Sequence, residues 1–170
     1  GREAEPGQRR FCDPSPDMVL RDVETLRARY AGDPDVVIGL APHSVRAVPP
    51  EFLKELLAAA DAWQIPLHMH VSEQQREVDE CIAETGTRPV HFLDSLGALG
   101  PRFVAVHATC LEDDEAHLLG QAGAFACLCP TTERDLGDGL APLTALRASN
   151  VRLCTGIDSH VITDPIDELR

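Results

Sequence analysis

Five short apolar segments alternate along the chain with longer segments in which apolar residues recur at helical spacing. Nearly continuous apolar runs of this length are typical of parallel strands that are covered on both faces. The five runs are DVVIGLAP (35–42), IPLHMHV (65–71), RFVAVHA (102–108), AFACLCP (124–130) and VRLCTGID (151–158). Regular alternation of strand and helix predicts an α/β architecture with right-handed crossovers.

The helices between these runs carry recognisable start and stop signals. Pro16, after Ser15, and Pro50 each open a helix, because proline is favoured at the first helical position. A third helix is predicted to begin near Ser72 and to end at Gly86, with a buried face made of Val78, Cys81 and Ile82. Further helices are predicted within 88–96, 112–123 and 141–149, and another begins within 163–170 with Asp164 or Thr163 as its N-cap.

The number of strand–helix units predicts part of a barrel. We expect residues 1–170 to form a single segment, in which residues 1–14, polar and interrupted by proline, are loop or linker. A (β/α)8 barrel usually needs about 250 residues, so five units are just over half of one. Periodicity alone leaves a doubly wound sheet as the alternative.

Polar residues at the ends of these strands favour the barrel. His43 follows the first strand, His70 and His107 end the second and third, and Asp158 ends the fifth. A single histidine is more often a hydrogen-bonded core or loop residue. Four residues that can ligate a metal or act as a base, at the ends of four strands, instead indicate a functional site, because in a barrel these ends share one rim and converge on one pocket.

The segment LHMHVSE (67–73) predicts the chemistry of that pocket. Imidazole ligands suit zinc or ferrous iron, and the metal would activate a water molecule. Glu73 comes three residues after His70 and can reach the same space to shuttle protons, although helix N-terminal charge compensation explains it equally well. Asp158 is either a further metal ligand and proton acceptor or a turn aspartate. The pattern therefore indicates a metal-dependent hydrolytic site.

Several longer motifs resemble one family. GLAPHSVRAV (39–48), HMHVSEQQREVDEC (68–81), VHAT (106–109), CPTTERDLGDG (129–139) and DSHVITDP (158–165) are similar to segments of the formimidoylglutamate deiminases, a branch of the amidohydrolase superfamily. The resemblance runs from about Phe11 to the end of the chain. It implies a partial (β/α)8 TIM barrel of the metal-dependent hydrolase type.

The resemblance also implies a reaction and the residues that perform it. The reaction is zinc-dependent hydrolytic deamination of N-formimino-L-glutamate, a step of histidine degradation, to N-formyl-L-glutamate and ammonia, with Fe2+ as the alternative metal. The implied roles are metal ligation by His70 and Asp158, catalysis by Glu73, His107 and Asp158, and substrate binding by His43 and Arg46. TTERDLGDG (131–139) is predicted to be a rim loop that shapes the pocket, and Glu133 has no assigned role within it.

The same resemblance predicts that this chain is a fragment. Such enzymes take two further zinc ligands from an H-x-H pair at the end of the first barrel strand, and no such pair precedes residue 39. We therefore expect the chain alone to be inactive and to expose two unpaired strand edges, which favour aggregation.

Composition restricts the partners and the compartment. A formal charge of −13 argues against nucleic acid and against anionic membrane surfaces. Six cysteines without small-scaffold spacing are expected to be free thiols in a reducing cytoplasm, most of them buried. The remaining expected partners are a small-molecule substrate and a second copy of the chain, since the family that the chain resembles is commonly homodimeric.

Two other readings stay open at this point. One is a related aminohydrolase that acts on a purine, pyrimidine or triazine. The other is a truncated scaffold that binds no metal and catalyses nothing. Ammonia release from different substrates distinguishes the first reading, and metal content after purification distinguishes the second.

Overall fold

The computed structural model describes residue 4, residues 6–159 and residues 163–169. Parts of two predicted features, the linker over 1–14 and the motif DSHVITDP, therefore lie outside the described residues. The chain divides into two units, residues 1–68 and 69–170, which are described separately below. The prediction of a single segment stays a prediction.

The first unit contains two helices that begin where the prolines predict. A short 3-10 helix, Arg9–Phe11, precedes α1 (Pro16–Arg29) and α2 (Pro50–Trp63), and both α-helices have proline at their first position. α2 packs a stripe of apolar side chains into the core of this unit, consisting of Leu53, Leu56, Leu57 and Ala60. The predicted helical periodicity of both segments is confirmed.

The first predicted strand, 35–42, is reduced to one parallel bridge between Leu40 and Leu67. The Leu40 amide donates to the Pro66 carbonyl, and the His68 amide donates to the Leu40 carbonyl. The pairing stops there because Pro42 has no amide hydrogen with which to extend a ladder. The expectation of a full strand here is therefore wrong, although the segment lies in the strand position that was predicted.

A parallel sheet lies in the second unit, apart from Leu67 and His68, the first two residues of its first strand. Its strands follow in the order β1 (Leu67–Val71), β2 (Phe103–His107), β3 (Phe125–Leu128) and β4 (Arg152–Thr155). The helices that connect and follow the strands are α3 (Gln75–Thr85), α4 (Pro89–Ser95), α5 (Asp113–Gln121), α6 (Pro130–Leu136) and α7 (Leu143–Ala148). The predicted α/β class with parallel strands is confirmed, and the carboxyl ends of these strands share one edge.

Three local predictions need correction. TTERDLGDG is not only a rim loop, because its first half forms α6, with Pro130 at the first position and Gly137 as a left-handed C-cap. Ile82 is 41% exposed, although Val78 and Cys81 of the same predicted face are buried. At the C-terminus the described residues form only a 3-10 helix, Asp167–Leu169, and the Asp164 carboxylate accepts a hydrogen bond from the Ile166 amide.

All six cysteines are free thiols, as predicted, but only Cys81 and Cys129 are buried. Among the residues that the structure describes, no helix is both long and apolar enough to cross a membrane.

Candidate metal centre

Three of the predicted residues meet at the carboxyl edge of the sheet. His70 lies near the end of β1, His107 is the last residue of β2, and Asp158 follows β4. One ligand atom from each side chain lies within 4.8 Å of the others. The two imidazole rings stack with their centroids 5.4 Å apart and their planes 19° apart. The predicted convergence of strand ends is therefore present for this part of the site.

Glu73 completes this group from the loop before α3. Its carboxylate oxygen Oε1 lies 3.8 Å from His107 Nε2, and Asp158 Oδ2 lies 4.0 Å from the same nitrogen. These separations exceed hydrogen-bond length, so the three groups face a common space and interact by charge. The side chain of His107 is almost completely buried, and that of Asp158 is 31% exposed.

A third carboxylate, that of Glu133 on α6, fixes the orientation of His107. Glu133 Oε1 lies 3.4 Å from His107 Nδ1 and accepts a hydrogen bond of 2.8 Å from the Cys129 amide. An ionised carboxylate can only accept hydrogen bonds. The Nδ1 nitrogen of His107 therefore carries a hydrogen and donates a hydrogen bond to Glu133. Nε2 consequently faces Glu73 and Asp158.

The protonation of His107 depends on these neighbours. Burial alone lowers the pKa of the imidazole, but the hydrogen bond to Glu133 and the charges of Glu73 and Asp158 outweigh burial. The pKa of His107 therefore lies above its ordinary value. A cationic imidazole next to two carboxylates is suited to stabilise negative charge on a bound molecule.

Glu133→Gln should lower the pKa of His107, because the variant loses one negative charge and exchanges a charged acceptor for a neutral one. An NMR titration of the histidine Cε1 proton in the metal-free chain measures the shift. The control is Glu55→Gln on an exposed position of α2, which should leave the titration of His107 unchanged. An unchanged or raised pKa in Glu133→Gln would show that Glu133 does not set the charge of this imidazole.

The loop that carries Glu73 is held by a buried glutamate. Glu77, fully buried on α3, accepts hydrogen bonds from the Ser72 amide at Oε1 and from the Glu73 amide at Oε2, each 3.1 Å long. From the turn after β2, the Thr109 hydroxyl donates to the Glu73 carbonyl over 2.7 Å. Both backbone polar groups of Glu73 are therefore bound, which restricts the directions available to its side chain.

The backbone at this edge adopts conformations that side-chain-bearing residues rarely take. Ser72, His107, Ala108 and Asp158 all have positive φ angles, between 50° and 70°. Non-glycine residues in this region cost of order 1–3 kcal/mol each and cluster at functional sites. The Ala108 amide donates to the Val71 carbonyl at this point, so the turns after β1 and β2 are joined.

Glu77→Ala should lower the free energy of unfolding by about 2–4 kcal/mol, because two buried amides at positions 72 and 73 lose their acceptor. Urea denaturation of the chain, followed by circular dichroism, measures the change. The matched control is Glu84→Ala on an exposed position of the same helix, for which we expect a change within about 0.5 kcal/mol. Equal effects of the two substitutions would mean that the carboxylate of Glu77 contributes nothing specific.

α6 also fixes the segment that contains Asp158. The Thr132 hydroxyl accepts a hydrogen bond from the Ser159 amide, lies 2.9 Å from the Ser159 hydroxyl, and contacts the Ile157 carbonyl at 3.3 Å. The neighbouring Thr131 binds the buried carboxylate of Glu168 through its amide and hydroxyl. Consecutive residues of α6 thus position Asp158 and His107.

The donor atoms at this edge fit a metal ion of the zinc type. His70 and Asp158 offer an imidazole nitrogen and a carboxylate oxygen, which are ligands that zinc takes in catalytic sites. A second group of three donors, His107, Cys129 and Glu133, also lies within 4.8 Å, but all three residues are buried. The group of His70, His107 and Asp158 is the more accessible of the two.

The two residues with a predicted role in substrate binding belong to the first unit. His43 is exposed, with Nδ1 3.0 Å from the Ser44 hydroxyl, and Arg46 is half-buried beside it. Their roles stay predictions. The sequence analysis missed Glu77 and Thr109 and gave Glu133 no role. The contacts of Thr109 with Glu73 and of Glu133 with His107 join distant segments and leave no local signal, whereas Glu77 binds amides only four and five residues away.

Comparison with known proteins is consistent with this geometry. A model of the amidohydrolase family matches residues 13–170. The chain is 41% identical over 172 aligned positions to the formimidoylglutamate deiminase of Pseudomonas aeruginosa, covering 100% of this chain and 37% of that protein. It is 35% identical over 151 positions to the 8-oxoguanine deaminase of the same organism, covering 87% of this chain and 34% of that protein.

Solved structures give the same relationship. A crystal structure of an amidohydrolase from Brucella melitensis superposes with a TM-score of 0.91 at 40% identity, covering 100% of this chain and 37% of that one. An adenosine deaminase from Xanthomonas campestris with bound zinc superposes with a TM-score of 0.79 at 31% identity, covering 83% of this chain and 32% of that one. The chain spans little more than a third of the length of these relatives. With the family model matched over nearly its whole length, the chain belongs to the amidohydrolase family.

Proposed function

We propose that this chain supplies part of the catalytic barrel of a zinc-dependent deiminase that hydrolyses N-formimino-L-glutamate to N-formyl-L-glutamate and ammonia. The observation that carries the proposal is the convergence of His70, Glu73, His107 and Asp158 at one edge of the sheet. Identity of 41% to a formimidoylglutamate deiminase over the whole chain supports the choice of substrate.

His70 and Asp158 are the proposed metal ligands of this chain. Two further ligands would come from barrel strands outside these 170 residues, since a catalytic zinc site uses at least three protein ligands. A bound zinc ion supplies Lewis acidity and makes water a stronger nucleophile at neutral pH. Fe2+ has a similar preference for imidazole and carboxylate and is the alternative occupant.

Glu73 is the proposed proton carrier. Its carboxylate faces the same space as His70 and Asp158, and its backbone is fixed by Glu77 and Thr109. A carboxylate in this place takes a proton from the attacking water and delivers it to the leaving nitrogen, which departs as ammonia. A positioned acid–base group of this kind contributes roughly 10²–10⁴-fold to the rate.

His107 is the proposed electrostatic partner in the same step. Its Nδ1 proton is held by Glu133, and its raised pKa favours the cationic form, so Nε2–H is directed toward the space in front of Glu73 and Asp158. A fixed donor there stabilises the electron pair that moves onto the substrate nitrogen when water attacks the C=N carbon.

Recognition of the substrate's carboxylates is proposed for Arg46, with His43 as a second contact. A glutamate derivative carries two carboxylates, and the guanidinium fork suits bidentate binding of one of them. Arg46→Lys would keep the charge and lose the fork, so its expected effect is on KM more than on kcat.

The test of this function is ammonia release by the complete enzyme that contains this chain, purified with zinc. N-formimino-L-glutamate is compared with 8-oxoguanine, guanine and cytosine under the same conditions. We expect kcat/KM for N-formimino-L-glutamate to exceed the other values by at least about 10³-fold, since a site built to bind charged groups rejects molecules that lack them. Absence of ammonia release from N-formimino-L-glutamate would refute the proposed substrate.

A purine deaminase is the second candidate function. The 35% identity to an 8-oxoguanine deaminase over 87% of the chain favours it. Both reactions remove ammonia by attack of water on a carbon–nitrogen bond, so the residues of the metal centre serve either one. Release of ammonia from 8-oxoguanine but not from N-formimino-L-glutamate would select this candidate.

A further inference from the structure

A buried thiol lies next to the hydrolytic centre and is not used by it. Cys129, the residue immediately before α6, is 1% exposed. Its Sγ atom, a ring nitrogen of His107 and a carboxylate oxygen of Glu133 all lie within 4.8 Å of one another. Sulfur, nitrogen and oxygen donors from the end of β2, the segment after β3 and α6 therefore converge on one point.

The separation of Glu133 and His107 matches that of two ligands of one metal ion. Glu133 Oε1 lies 3.4 Å from His107 Nδ1, which is longer than most hydrogen bonds of this kind. Two tetrahedral ligands at the usual zinc distances lie about 3.4 Å apart. The Cys129 amide donates to the same Glu133 oxygen over 2.8 Å, which holds the carboxylate close to the thiol.

A glycine leaves one side of the Cys129 sulfur uncovered. A Cβ atom placed on Gly156 would lie 3.1 Å from Cys129 Sγ and 3.1 Å from Cys127 Sγ. Apart from its own chain neighbours, it would meet no other atom of the described residues within 4 Å. A cation can therefore approach the sulfur from this side without displacing a side chain at position 156.

We propose that Cys129, His107 and Glu133 bind one cation of the Zn2+ and Cd2+ class, through Sγ, Nδ1 and Oε1. One sulfur, one nitrogen and one oxygen ligand suit these cations, whereas Mg2+ and Ca2+ take oxygen ligands. His107 is not a proposed ligand of the hydrolytic zinc, so the two ions do not compete for the same nitrogen. The new site therefore does not rest on the proposed function.

Binding of the cation displaces two protons. The hydrogen bond with Cys127 is the main reason that the pKa of Cys129 lies above its ordinary value, so the thiol is protonated before the cation enters. Sulfur ligates as the thiolate, and the thiol proton and the Nδ1 proton of His107 pass to solvent. Nε2 keeps its hydrogen and its direction toward Glu73 and Asp158. Because of this cost, the site fills at a higher supply of the ion than a complete hydrolytic centre does.

Cadmium binding to the reduced 170-residue chain tests the sulfur ligand. Cd2+ is added in the absence of competing thiols, and the ultraviolet charge-transfer band of the cadmium–thiolate bond is recorded. We expect saturation at one Cd2+ per chain, with an intensity that corresponds to one thiolate per cation. The band should disappear in Cys129→Ser. It should persist in Cys127→Ser and Cys154→Ser, the matched controls, whose thiols belong to paired positions of β3 and β4.

Two further variants test the other ligands without removing a thiol. Glu133→Gln should weaken Cd2+ binding by at least about tenfold, since even residues that only support a metal ligand change metal affinity by about 10–100-fold. Glu55→Gln, at an exposed position of α2, should bind Cd2+ as the unmodified chain does. His70→Asn should also keep the band, because the hydrolytic centre does not supply these ligands. Circular dichroism of each variant verifies that the fold is kept.

Four results would overturn the proposal. These are no thiolate band at equimolar Cd2+, a band that survives Cys129→Ser, a band that is lost in Cys127→Ser or His70→Asn, and equal Cd2+ affinity of Glu133→Gln and the unmodified chain. The intensity per cation in the unmodified chain provides a test that depends on no substitution. An intensity of two or more thiolates per Cd2+ would contradict a site with a single sulfur ligand.

Discussion

Replacing Glu73 with glutamine is expected to lower kcat of the complete enzyme that contains this chain by about 10³-fold or more, within the range of a lost acid–base group. Glutamine keeps the size of the side chain and the backbone hydrogen bonds to Glu77 and Thr109, but it cannot carry a proton between water and the leaving nitrogen. Steady-state ammonia release with saturating substrate measures the effect.

The control for this experiment is Glu84→Gln, at an exposed position of α3. It should change kcat by less than about twofold, as expected of surface substitutions. Zinc content should be equal in both variants, since Glu73 is not a proposed metal ligand. If Glu73→Gln retained more than a tenth of the activity with full zinc content, another group would have to move the proton.

Replacing His70 with asparagine is the second change with a large expected effect. Loss of one zinc ligand should reduce bound zinc, at micromolar supply, to a small fraction of one ion per chain, because only three of the four proposed ligands remain to hold the ion. Activity should fall in parallel. Inductively coupled plasma mass spectrometry of the dialysed protein measures the zinc content.

His117→Asn, at an exposed position of α5, is the matched control and should keep its zinc. Excess zinc in the assay should restore part of the activity of His70→Asn, because the defect is in binding of the ion. Full zinc content in His70→Asn would mean that this imidazole lies beside the metal without ligating it.

The sequence was sufficient to predict the elements whose signals are local. Proline at the first helical position located the starts of α1 and α2, and the left-handed glycine at position 86 ended α3. The convergence of His70, Glu73, His107 and Asp158 in the second unit was also predicted, because the ends of parallel strands must meet at one edge of a sheet.

Most of the features that were missed, unlike the local contacts of Glu77, depend on contacts between distant segments. α6 contains few apolar residues and is followed by two glycines, so its sequence is compatible with a loop. Its helical form is accompanied by burial of Thr131, Thr132 and Glu133, which bind Glu168, Ser159 and His107 respectively. No property of the segment alone indicates these partners.

The first predicted strand illustrates the opposite case. Residues 35–42 have the composition of a buried strand, but only Leu40 pairs with a neighbour in the first unit. Strand propensity measures how well side chains fit a half-buried sheet surface, so a run of suitable residues becomes a strand only where a neighbour binds its backbone.

The central claim is that the carboxyl edge of this sheet holds one catalytic zinc ion. The most direct measurement is anomalous X-ray diffraction at the zinc absorption edge from crystals of the complete enzyme. We expect one strong peak at about 2.0–2.2 Å from a nitrogen of His70 and an oxygen of Asp158, the usual zinc distances, with Glu73 close but not ligating. No zinc peak at the carboxyl edge would contradict the claim.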